Sequence, residues 1–161
     1  MATHTALPVL LPYHFSVSGS PVSVNRYGQA VYRAWRAKVH AESVNGAIWS
    51  KALTTDPCTV HVRYFWHLDR RKDVDNVLKA ILDGLDGKIG TTPKPTLRVL
   101  GDDREVERVV SQRTRLAFGT RLHASRMSVE EYRALRLALV DEASVFIGIS
   151  GAPDHNRSIT R

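Results

Sequence analysis

The sequence predicts an α/β (α+β) domain in which a small mixed β-sheet is flanked by helices. Three observations carry that expectation. Segments with a two-residue apolar period alternate with segments of helical period, in the order β-α-β-α-β-α-β. A chain of 161 residues has the length for one hydrophobic core. Its 43% hydrophobic content is ordinary for a globular protein, and no run approaches the roughly 18 unbroken apolar residues of a membrane helix.

The elements follow in order. YHFSVSG alternates apolar and polar side chains and stops at Gly19, which reads as a first strand. GSPVSVNRYG is a loop by its Gly, Pro, Ser and Asn content. AVYRAWRAKVHAESVNGAIW has helical spacing, with Val31, Trp35, Val39 and Ile48 on a shared buried face and Gly46 as a weak point. CTVHVRYFW is β-branched and aromatic, with Val60, Val62 and Tyr64 on one face of a strand. After the charged loop HLDRRK, a helix runs from about Asp75 to Leu85, its apolar face made by Val77, Leu78, Ile81, Leu82 and Leu85. DGKIGTTPKPTLRVLGDD is a connection with a short apolar piece from Leu97 to Leu100. REVERVVSQRTRLAF alternates as a strand, with Val106, Arg108 and Val110 on one side and Glu107, Val109 and Ser111 on the other. SVEEYRALRLALVDEA opens with a capping box, Ser128 at the cap and Glu131 three residues on, and SVFIGI closes as a strand. Residues 1–10 and 151–161 lack apolar periodicity, so flexible tails are expected around a single domain at 11–150.

Charge narrows the function classes. A net charge of +7, mostly from arginine, favours an anionic partner, nucleic acid first. A lone Cys58 excludes an internal disulfide and a cysteine-based zinc site. With no basic leader in MATHTALPVLLPYHF, a cytoplasmic setting and no membrane are expected. The seven histidines lack metal-binding spacing.

Within this basic chain, RRKDVDNVLKAILDGLDG places two carboxylates at alternate positions. Asp73 and Asp75 fall at the helix start, where unpaired amides favour anions. Lys79 lies one turn beyond Asp75, and Asp83 one turn further. A plainer account makes one aspartate a helix cap and Asp75–Lys79 a helix salt bridge. Two aspartates strain it, since one cap suffices. Asp102 and Asp103 follow LRVL; adjacent carboxylates repel, and a divalent cation relieves that. Asp73, Asp75 and one of the pair offer the hard oxygens that Mg²⁺ prefers. Such an ion activates water and stabilises charge at phosphorus, Lys79 supports the leaving oxygen or the water, and Arg70, Arg71 and Lys72 hold a polyanion.

These residues resemble the RusA-type Holliday junction resolvases, which cut four-way DNA junctions. DVDNVLKAILDGL is similar to the family's D-x-D-N-x-x-K-x-x-x-D-x-L helix start, GSPVSVNRY to its segment after the first strand, and GDDREV to its D-D. The likeness spans about Phe15 to Val109. It implies a homodimer with two sites, each making one nick with Mg²⁺ (Mn²⁺ substituting), in a bacterial or phage-infected cytoplasm. A twofold dimer presents two equivalent sites to two equivalent strands. Carried across, Asp73, Asp75 and Asp103 are the metal-binding and catalytic acids and Lys79 the catalytic lysine. Asp103 is chosen over Asp102 because the second aspartate of the pair matches. Asn25, Arg26 and Asn76 join Arg70, Arg71 and Lys72 as the expected DNA contacts. The chain departs from the family in a longer connection before D-D and in Lys72, where an arginine is familiar.

Other residues are weighed alongside. Trp66 is the aromatic best placed for DNA, while Trp35, Trp49 and Phe65 read as core. His67 reads as a surface residue. Arg113, Arg115, Arg121 and Arg126 form a run that tracks phosphate or simply faces solvent. Cys58 reads as buried. Two other functions compete: a non-catalytic nucleic-acid-binding protein on the same fold, and a DxD transferase or phosphatase. The intervening HLDRRK argues against the last.

Overall fold

A computed structural model describes residues 11–45, 52–54, 56–67 and 73–153. The fold is mixed α+β. Strand β1 (Tyr13–Ser18) leads through a 3-10 turn at Val24–Arg26 into helix α1 (Ala30–Val44). Short β2 (Ala52–Thr54) precedes β3 (Cys58–Trp66), and α2 (Val74–Leu85) precedes short β4 (Arg98–Leu100). Then come β5 (Val106–Arg115), α3 (Val129–Val140) and β6 (Ala143–Gly151).

The main sheet has the order β1-β6-β3-β5. β6 pairs antiparallel with both β1 and β3, whereas β3 and β5 are parallel. A parallel pair requires a crossover, and α2 with its connection supplies it. β6 is buried from Ala143 to Ile149, which explains its nearly unbroken apolar sequence. One sheet face carries Phe15, Val17, Val60, Val62, Tyr64, Val145, Ile147 and Ile149 against α1 and α2. Each such buried aliphatic or aromatic side chain contributes ~1.5–3 kcal/mol. On the other face a smaller cluster, Phe65 and Phe146 with Ala134 and Ala138, seats α3. The capping box is present in both directions: Glu131 N–H donates to Ser128 Oγ at 3.1 Å, and Ser128 N–H to Glu131 Oε2 at 2.8 Å.

Several sequence expectations change. Val31 is exposed, and Tyr32 and Arg36 join Trp35 and Val39 on the buried side of α1. The helix faces both the sheet and α2, which rotates its buried stripe away from Val31. Ile48 and Trp49 lie outside the described residues. Strand β5 does not alternate as expected. Cys58 pairs with Val106 and Thr59 with Arg108, so Glu107 is an extra residue. That bulge puts Val106, packed on the main core, on the same face as Val109 rather than with Arg108 and Val110. β2 and β4 pair in parallel as a separate small sheet, and β2 had no sequence reading. Gly151 belongs to β6, paired with Cys58, instead of starting a tail. No helix among the described residues is long and apolar enough to cross a membrane.

Helices α1 and α2 meet closely at Gly84. A Cβ there would lie 2.8 Å from Val39 Cβ and 2.9 Å from the Arg36 carbonyl oxygen. Alanine normally gains about 1 kcal/mol over glycine inside a helix. Here the obstructing oxygen is backbone, so the helices must part instead. Gly84→Ala is expected to destabilise the fold by ~1–3 kcal/mol, read as a lower urea midpoint.

Candidate active site

The site is built around α2 and the two elements that flank its ends. Asp73 occupies the N-cap position, yet its side chain makes no cap hydrogen bond. Its contact is with Asn76, whose Nδ2 donates to Asp73 Oδ2 at 3.4 Å. Asp75, in the first turn, is exposed. Lys79 does not close onto Asp75: its Nζ donates to Asp83 Oδ1 at 2.6 Å and lies 3.8 Å from Asp103 Oδ2. Neither carboxylate at the helix start is therefore consumed by the cap or the salt bridge that a plain helix would use.

Asp83 is buried, with 2% of its side chain exposed, and is shared by three groups. Besides Lys79, Tyr32 Oη donates to its Oδ2 at 3.4 Å and Arg36 lies 3.7 Å away. The Tyr32 phenol is pushed up to about 12, by burial first and then by the Asp83 charge.

The far end of α2 closes with a glycine motif. Gly87, at φ +73°, donates to the Gly84 carbonyl at 3.2 Å, and Lys88 N–H donates to the Asp83 carbonyl at 2.7 Å. This turn throws the Lys88 side chain back across the helix end. Its Nζ lies 2.8 Å from Asp103 Oδ2 and 2.8 Å from Asp86 Oδ2. Asp86 is fully buried at the C-cap, where both burial and the helix dipole disfavour a carboxylate. A second cation, Lys94, offsets this at 2.7 Å from Asp86 Oδ1. Burial works against the Lys88 charge, but the hydrogen bond it donates to Asp103 and its ion pair with Asp86 outweigh it and hold its pKa above the ordinary lysine value.

Asp103 arrives from β4. Val99 and Leu100 are buried, and Gly101 N–H donates to the Thr54 carbonyl at 3.1 Å, so the chain enters GDD from a pinned strand. The two aspartates then diverge. Asp102 caps a 3-10 turn by accepting from Arg104 N–H at 2.9 Å and also pairs with the Arg104 guanidinium. Those Arg104 contacts hold its carboxyl well below the usual range. Asp103 instead faces Lys79 and Lys88.

Asn25 and Arg26 lie exposed on the 3-10 turn that packs beside α2. Arg70, Arg71 and Lys72 lie outside the described residues. Trp66 is not available to DNA. It is 9% exposed and stacks on Tyr64 with ring centroids 5.2 Å apart, because its strand position faces the main core. His67 is half-buried rather than a surface residue. Cys58 is buried, and burial pushes its thiol up to about 11. Arg113 and Arg115 are the register partners of Tyr64 and Trp66, at the end of the sheet where β3 leaves towards Asp73. Beside them, Arg63, Arg121, His123 and Arg126 join in lining a groove of about 650 Å³.

Asp73, Asp75 and Asp103 carry carboxylate oxygens, the ligand type a hard divalent cation takes, and the groups that stand against Asp103 are the Lys79 and Lys88 ammoniums. Among the described residues no three His, Cys, Asp or Glu side chains form a group that could hold a metal ion. Asp103 is turned to its lysines. No family model matches the chain, and no curated protein matches it.

The sequence reading passed over Asp86, Lys88 and Lys94. Their one signal is the Asp-Gly-Lys at the helix end, where glycine past the C-cap predicts the turn that returns Lys88. Asp83→Ala would leave buried Arg36 without its carboxylate, and a loss of ~3–5 kcal/mol is expected in chemical denaturation. Alkali gives a second test. Below pH 10 the Tyr32 phenol is protonated both folded and unfolded. Between about 10 and 12 only the unfolded chain readily ionises, so stability falls as pH rises through that window. Tyr32→Phe is expected to make the fall shallower in alkaline melting curves.

Proposed function

We propose that this protein is a Mg²⁺-dependent endonuclease that resolves four-way DNA junctions, acting as a homodimer in which each copy nicks one strand. The observation that carries the reading is the meeting of two separate sequence segments: Lys79, one turn beyond Asp75 on α2, lies 3.8 Å from Asp103. The likeness of DVDNVLKAILDGL to the RusA-type motif supports the same assignment. Asp73, Asp75 and Asp103 would hold the ion, which when bound activates water and offsets charge on the phosphate.

The chain's own groups take the remaining tasks. Lys79 is held by the buried Asp83, which orients its ammonium. That preorganised cation stabilises the developing charge on the scissile phosphate oxygens. Asn76 fixes the Asp73 carboxylate. Arginines along the β5 edge and its groove supply sequence-independent contacts to the phosphate backbone, and Asn25 and Arg26 extend that surface beside α2.

A specific observation favours a second reading, a nucleic-acid-binding protein without cleavage: Asp103 is neutralised by lysines. A synthetic four-way junction, labelled on each strand in turn, separates the two. Paired symmetric nicks that need Mg²⁺ and vanish in Asp75→Asn, with junction binding kept, are the expected result. Lys79→Met is expected to slow cleavage by about 10²–10³-fold. Tight binding without a cut under Mg²⁺ or Mn²⁺ would establish the second reading instead. Replacing Arg121 and Arg126 with glutamine should weaken binding across all sequences, and reduce the slope of log affinity against log salt by about one per residue.

A further inference from the structure

We propose that the sheet surface beside the start of α3 holds one unpaired nucleotide of DNA, its base in a cavity lined by His14, His61 and Phe146 and its phosphates on the adjoining arginine groove. This rests on the nucleic-acid binding in the reading above, and on neither a metal nor cleavage.

The cavity begins with one row of residues across the sheet. His14 pairs with Gly148, Gly148 with His61, and His61 with Val110. Residues paired in this way share a face, here the face that carries α3. The space beside them is a cavity of about 290 Å³, which Ser128 and Glu131 at the start of the helix also line. Gly148 has no positive φ to account for it, and glycine weakens a strand interior. Close approach is what requires it. A Cβ there would lie 3.0 Å from His14 Cδ2 and 3.2 Å from Phe146 Cζ. The glycine lets these two rings close in, edge to face, with centroids 5.4 Å apart. The result is a wall of aromatic surface on an open sheet, the kind of surface on which unpaired bases pack.

The polar groups suit the edge of a base. His61 Nε2 lies 3.2 Å from Ser150 Oγ, and Gln112 brings an amide that both donates and accepts. Burial, then Arg108 and His14, hold the His61 imidazole below its ordinary pKa. It is therefore neutral near pH 7, with one donor and one acceptor nitrogen. The volume sits at the low end of small-ligand sites, roughly 300 Å³, and takes one ring system rather than a base pair.

Continuity with the arginine groove selects a nucleotide over a peptide or a second copy. Arg63 and Gln112 are register partners that line both the cavity and the groove. Arg63 stands over the Phe65 ring at 5.0 Å, donates to Thr114 Oγ1 at 3.2 Å and pairs with Glu131 at 3.5 Å. Its guanidinium is thus fixed where base and phosphate would meet. Exposed Arg121 and Arg126 lie in the groove beyond. An aromatic cavity opening onto arginines matches a molecule with a flat ring at one end and a phosphate at the other.

The test uses two DNA duplexes that differ at one unpaired position, adenosine in one and an abasic site in the other. Binding to the full chain is measured by fluorescence anisotropy in EDTA. Wild type should bind the abasic duplex about tenfold more weakly. His61→Ala and Gln112→Ala should each narrow that ratio, and the double variant should bring it close to one. Arg121→Gln with Arg126→Gln should weaken both duplexes alike. Equal binding of the two duplexes by wild type overturns the proposal and leaves the polyanion reading standing. A ratio unchanged in the double variant overturns it too, because the base would then be held elsewhere. If His61→Ala melts early, Gln112→Ala at its exposed position decides alone, and an unchanged ratio there counts against the proposal. Loss of a dimer in Gln112→Ala, seen by sedimentation, would assign this face to a second copy instead. No binding of either duplex at low salt overturns both the proposal and the nucleic-acid reading.

Discussion

The buried carboxylate of Asp83 is the constraint on which the rest of the site depends. Hydrophobic packing brings α2 onto α1 and the sheet, but packing alone fixes a helix's rotation loosely. A charge with 2% exposure must be paired. Asp83 finds its partners on two elements, Tyr32 and Arg36 on α1 and Lys79 on its own helix. Satisfying all three sets the rotation of α2 about its axis. That rotation keeps Asp75 at the surface and aims Lys79 at Asp103. The close approach at Gly84, the next residue, serves the same end, because a side chain there would push the two helices apart and stretch the Arg36–Asp83 pair.

From Asp83 outward the charges alternate. Lys79 separates Asp83 from Asp103, and Lys88 separates Asp103 from Asp86. Alternation lets three carboxylates sit along one helix and one turn without leaving like charges in contact. The excess of positive charge lies elsewhere, along the β5 edge and its groove. A basic chain thus confines these carboxylates to one charge-alternating cluster while arginines line a separate groove, a separation that the proposed action on a polyanion would use.

The fold was legible where periodicity runs long. The helix face of Val77, Leu78, Ile81, Leu82 and Leu85, the capping box at Ser128 and the apolar run of β6 each repeat a signal over several residues, and tertiary packing agrees with it. Short or cooperative features were not legible. β2 and β4 have three residues each, too few to show a period. One extra residue at Glu107 inverts which side chains share a face, and nothing local announces it. Val31 and Trp66 were misjudged for one reason: their surroundings come from elements distant in sequence. In the candidate site, the residues of the DxDN segment and of GDD could be picked out by type and spacing. Lys88 and Lys94 could not, because lysines in a connection gain meaning only once Asp86 is known to be buried.

The connection between α2 and β4 has a practical side. One end is pinned by the Lys88–Asp83 backbone hydrogen bond, the other by the Leu97 carbonyl against His40 and by the pairing of Arg98 with Ala52. Between them residues 90–94 are all exposed. Closing a longer loop between fixed ends costs only ~0.6 kcal/mol per doubling of its length. Asp103 is positioned by β4, not by the length of the path leading to it. The tip at Gly90–Thr92 is therefore a natural place to splice in a peptide tag or a fluorophore attachment point, provided that Lys94 still returns to Asp86.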